Sequence, residues 1–110
     1  MDVFRLAHDL ALRAHELTGR FPAEERTALV AMLRRAAAAV PAQLAAAASR
    51  WDRAEYRHGV VEAKAVAAEA RYHLLLAKDL GHLSAEDCND LRDGYDRVAQ
   101  MLAGLAKALQ

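Results

Sequence analysis

The sequence predicts an all-α fold: one antiparallel up-down-up-down four-helix bundle filling residues 1–110. Three observations predict it. Apolar residues recur at three- and four-residue steps through most of the chain, the period of a helix with one buried face. Roughly a quarter of the chain is alanine, the residue that loses least on entering a helix, while aromatics are 5% and only two prolines and five glycines interrupt it. The segments between the periodic stretches are short, and short connections force neighbouring helices to run antiparallel.

The first helix is expected over Asp2–Thr18, with Val3, Leu6, Leu10, Ala14 and Leu17 on one face and Gly19 as its C′ residue. Phe21-Pro22 restarts the chain, with Pro22 at the first helical position and Glu24 and Glu25 near the positive dipole end. The second helix carries Leu29, Leu33, Ala36, Val40 and Leu44, and Pro41 predicts either a kink or a stop near Val40. Ser49-Arg50-Trp51-Asp52 reads as a capping box for the third helix. There Tyr56, Val60, Ala63, Ala67, Ala70, Leu74 and Ala77 form a coiled-coil-like seam that Gly81 ends. Ser84 and Asp87 form a second capping box, opening a fourth helix with Leu91, Tyr95, Val98, Leu102, Leu105 and Leu109 inward.

Alanine contacts bury little area, so a lone bundle of this composition is only marginally stable, which points to self-association. Lys and Arg total 15 against 15 Asp and Glu, and this balance weighs against a dedicated nucleic-acid binder. Cys88 is the sole cysteine, which excludes an internal disulfide and a cysteine zinc cage. No apolar run approaches the ~20 residues that span a bilayer. Met1-Asp2-Val3-Phe4-Arg5 lacks signal-peptide order, and the expected location is the bacterial cytoplasm.

The residues offer little chemistry. His8 and His15 share a face; Glu69 and His73 are four apart, with Glu62 two turns below Glu69. No Glu-x-x-His pair of the di-metal bundles occurs, and no His-Glu-x-x-His, so surface contacts are expected and no metal or cofactor. Cys88 lies among Glu86, Asp87 and Asp90, which raise a thiol pKa. No enzymatic activity is predicted. Arginine is the richer signal. Arg34 and Arg35 sit mid-helix, and Arg50, Arg53 and Arg57 step along one face with Trp51 and Tyr56 among them. Guanidinium with aromatic is the chemistry of nucleic-acid stacking, but equally of a subunit interface or a solvated face balanced by Asp52 and Glu55.

Several stretches, in order along the chain, carry a family likeness. They are Val3-Phe4 with Ala7; Leu17-Thr18, Phe21-Pro22 and Glu25; Leu33-Arg34-Arg35-Ala36-Ala37 with Val40-Pro41; and Arg50, Glu55 and Tyr56. Leu76-Ala77, Leu80-Gly81 and Leu83 follow, then Met101-Leu102 and Gly104-Leu105. With these the sequence resembles the bacterial four-helix-bundle family named for open reading frames in intervening sequences of 23S ribosomal RNA. It departs after Pro41, where Ala42-Gln43-Leu44-Ala45-Ala46-Ala47 replaces the family's usual x-Asn-Ile-Ala-Glu-Gly, and Met32 and Ala39 stand at polar family positions. The resemblance implies a bundle assembled into a ring-shaped homopentamer. It also implies a relation to the accessory variability determinants of diversity-generating retroelements, basic barrels that bind a reverse transcriptase and nucleic acid. Two functional expectations follow. One is a non-catalytic oligomeric scaffold that binds a protein partner, with nucleic-acid contact. The alternative is an RNA- or DNA-binding accessory protein using Arg34, Arg35, Arg50, Arg53 and Arg57, with Trp51.

Overall fold

The computed structural model describes residues 1–110 as four α-helices and no strand. They are α1 (Asp2–Thr18), α2 (Leu29–Ala48), α3 (Arg53–Asp79) and α4 (Ala85–Ala108), with a 3₁₀ turn over Ala23–Glu25. Each helix packs on its sequence neighbours and α4 closes back on α1, with no contact across the diagonal. The result is an up-down-up-down bundle of 44 × 24 × 18 Å.

The core is most of the set the periodicity marks; Leu6, Tyr56, Leu105 and Leu109 are half-buried at its edge. Val3, Leu10, Leu33, Val40, Leu44, Val60, Leu74, Leu91, Val98 and Leu102 are buried, with alanines 7, 63, 67, 70 and 77 between them. Small residues set the helix spacing. A Cβ on Gly59 would lie 2.6 Å from the Ala47 Cβ, so α2 and α3 nearly touch there. A Cβ on Gly94 would lie equally close to a methyl of Leu10 across the α1–α4 contact.

The helix ends explain the turns. Asp52, not Ser49, caps α3: its carboxylate accepts from the amides of Ala54 (2.7 Å) and Glu55 (3.4 Å). Ser49 instead ends α2, its hydroxyl donating to the Ala46 carbonyl at 2.6 Å. At the end of α3, Gly81 adopts φ +85°, and the amides of Gly81 and His82 bond back to the carbonyls of Lys78 and Ala77. This is a Schellman motif, and it needs glycine because a Cβ is strained in the left-handed region. Ser84 caps α4 by accepting from the Asp87 amide at 3.0 Å. The Asp87 carboxylate turns away to Arg13 of α1, 3.2 Å off, so only half of the expected box forms.

Three expectations change. Gly19 is right-handed (φ −62°), because α1 unwinds through a run of tight turns and not through a left-handed cap. Pro22 opens the 3₁₀ turn and not α2, which starts at Leu29. The reason is packing: Leu29 and Val30 are the first residues of this stretch that reach the core, while none of Ala23–Glu25 is buried. The turn lies across the bundle end, with the Glu25 carboxylate 2.9 Å from the His82 ring and Phe21 tilted against that ring. Finally, α2 continues through Pro41 to Ala48, which removes the stop near Val40. Proline in a helix interior costs about 3 kcal/mol, but Pro41 is buried, and Val40 and Leu44 beside it are fully inside the core. By length and composition α2 is also apolar enough to cross a bilayer, which a count of its large side chains alone does not reveal; in the fold its leucines and valines form core.

Candidate functional site

The arginines do not form one patch. Arg34 and Arg35 lie beside the C-terminal end of α1, while Arg50, Trp51, Arg53 and Arg57 lie at the opposite end of the bundle. From the rise of a helix, Arg34 and Arg50 are roughly 24 Å apart along α2.

Three of the five cap helix C-termini. Arg34 donates from Nε to the Thr18 hydroxyl (2.8 Å) and from Nη2 to the His15 carbonyl (3.0 Å). Thr18 in turn donates to the Ala14 carbonyl at 2.8 Å, so the last turn of α1 is closed by a small network. Arg53 reaches the carbonyls of Ala108 (2.6 Å) and Leu109 (3.1 Å), and Arg57 that of Ala106 (3.2 Å). A guanidinium at a helix C-terminus meets unpaired carbonyls and the negative end of the dipole, so these contacts are stabilising.

Arg50, Arg53 and Arg57 therefore do not share a face. Arg50 precedes α3, sits 3.9 Å from the Glu55 carboxylate and borders a cleft of about 420 Å³ between α2 and α3. Arg53 and Arg57 turn the other way, onto α4. Arg35 is exposed, and Trp51 is fully exposed on the turn between α2 and α3.

His8 and His15 do share a face. They line a groove of about 540 Å³ between α1 and α2, whose walls are mainly Phe4, Leu12, Ala38, Pro41 and Ala45. Leu12 is 57% exposed. Glu62 pairs with His58 (3.1 Å), while His73 is half-buried and meets Tyr72 edge-on. No three histidine, cysteine or carboxylate side chains converge. Cys88 is fully buried with its sulfur 3.5 Å from the Leu74 carbonyl. Burial is the main force raising its thiol pKa; Arg92 and Lys78 oppose this and Asp79 adds to it, so the local acids 86, 87 and 90 are not the cause. A third cleft, between α3 and α4, brings together Arg57, Lys64 and Lys107. The sequence reading passed over the two lysines, although the seven-residue step from Arg57 to Lys64 marks one helix edge.

No curated protein matches the sequence. Among solved structures, the fold is similar to the crystal structure of a protein of unknown function from the S23 ribosomal protein family of Bacteroides thetaiotaomicron VPI-5482. The TM-score is 0.84 at 16% identity, covering 96% of this chain and 98% of that one. The model of the 23S rRNA-intervening sequence protein family matches residues 1–104, and the chain belongs to that family.

Proposed function

We propose that this chain is a non-catalytic helical scaffold that associates with copies of itself and holds a protein partner. The observation that carries this reading is the α1–α2 groove. Phe4, Leu12, Ala38 and Ala45 leave an open apolar surface there with no acidic residue on it. A second copy of the chain is the occupant that matches the composition. Seven of the 24 clustered core residues are alanine; each buries little area, and association would add apolar burial. A closed ring is the form that the family resemblance suggests. Light scattering on the size-exclusion peak tests it: a ring of five gives about five times 12.0 kDa, and a monomer across the working concentration range rejects it.

The second reading is an RNA- or DNA-binding accessory protein that works with a reverse transcriptase. One observation favours it: Trp51 is fully exposed beside Arg50. Against it, Arg34, Arg53 and Arg57 donate to carbonyl and hydroxyl oxygens of the fold itself. Trp51→Ala decides: it abolishes the binding of labelled oligouridylate under this reading and leaves the assembly mass unchanged under the first.

A further inference from the structure

Helix α3 carries Arg57, Lys64, Arg71 and Lys78 at seven-residue intervals. Seven residues are close to two helical turns, so the four cations follow one edge of the helix. That edge flanks the buried seam of Val60, Ala63, Ala67, Ala70, Leu74 and Ala77. In paired helices such flanking cations usually meet acids on the neighbour. In the upper half one does: Arg71 lies 2.8 Å from Asp96 of α4, while Lys78 pairs within α3, 3.7 Å from its sequence neighbour Asp79.

The lower half differs. Between α3 and α4 a cleft of about 410 Å³ is bordered by Arg57, Lys64 and Lys107, and no acidic side chain lines it. Lys64 and Lys107 are exposed and make no ion pair within the fold. Where α4 could have carried acids it presents Ala103 and Ala106 instead. Val61, 44% exposed, gives the cleft an apolar wall. Three cations around a small apolar cleft, on a chain of zero net charge, match an anionic group borne next to an apolar side chain. The cleft contains no aromatic residue on which a base could stack, which favours a peptide over a nucleic acid.

We propose that the α3–α4 cleft binds an acidic peptide segment. Its carboxylates lie against Lys64 and Lys107 and against the Nη nitrogens of Arg57, whose Nε is taken by the Ala106 carbonyl, and an apolar side chain lies against Val61 and Ala103. This gives a chemistry to the protein partner of the scaffold reading and rests on that reading. The test is fluorescence anisotropy with a fluorescein-labelled peptide of Glu-Glu-Leu repeats. A Lys-Lys-Leu repeat peptide and labelled oligouridylate serve as competitors in class. The double variants Lys64→Glu/Lys107→Glu and Lys64→Gln/Lys107→Gln are compared with the parent chain; both positions are exposed, and helicity is checked by circular dichroism. The acidic peptide is expected to bind, to weaken as salt rises, and to lose about tenfold or more in affinity in the charge-reversed variant, with a smaller loss in the glutamine variant. Absence of acidic-peptide binding at millimolar concentration overturns the proposal. So does binding that ignores both variants, or oligouridylate binding where the peptide fails. Light scattering on the same samples separates the two ideas. An oligomer that ignores the peptide removes the cleft and keeps the scaffold; a monomer that binds it removes the self-association and keeps the cleft.

Discussion

Tyr95 is the largest fully buried side chain, and its hydroxyl has no hydrogen-bond partner. Burial pushes its phenol pKa well above the ordinary 10.0. The unfolded chain therefore ionises this tyrosine before the folded one does. Stability is fully present below pH 10 and falls as pH rises further, because only the unfolded state releases the proton. Tyr95→Phe removes both effects: it is expected to raise stability by up to about 1 kcal/mol at neutral pH and to flatten the loss above pH 10, read by urea denaturation at a series of pH values. The glycines make a second contrast. An alanine at either site gains about 1 kcal/mol in helix propensity. At position 94 the added methyl meets the mobile end of Leu10, which can move aside. At position 59 it meets Ala47, whose Cβ is fixed to the backbone, so α2 and α3 must separate. Gly59→Ala is expected to lower the melting temperature and Gly94→Ala to change it little, both by thermal circular dichroism.

At the scale of elements, α1, α3 and α4 were legible because an apolar seam runs along each. Asp2–Thr18 forms as read, and the third seam is buried from Val60 to Ala77. The start of α2 was not legible. Pro22, Glu24 and Glu25 are first-turn chemistry for a 3₁₀ turn as well as for an α-helix, and only the position of the core decides which forms. The capping of α3 was misassigned for a related reason: Ser49 and Asp52 are both N-cap residues, and the choice depends on where α2 stops. Asp52→Ala is expected to cost about 1 kcal/mol and Ser49→Ala much less, by chemical denaturation. The arginine set was legible as residues but not as a site. Sequence spacing places Arg53 and Arg57 on one face, yet it cannot show that α4 ends beside them with open carbonyls. Two of the cations that remain unpaired, Lys64 and Lys107, come from different helices and meet only in the fold.

For the whole molecule, the central issue is where the apolar surface goes. The bundle is narrow, alanines alternate with leucines and valines in its core, and an open apolar groove runs between α1 and α2. Net charge is zero, so long-range repulsion does not oppose association of copies. Leu12 projects from the α1 wall of that groove and takes no part in the core, so a charge there is expected to leave folding intact and to disturb the proposed association. The most direct measurement is the light-scattering mass of the chain and of Leu12→Glu, side by side at equal concentration. The expected result is a multiple of 12.0 kDa for the parent chain and a 12.0 kDa monomer of unchanged helicity for the variant. Two monomers, or two assemblies of equal mass, would contradict it.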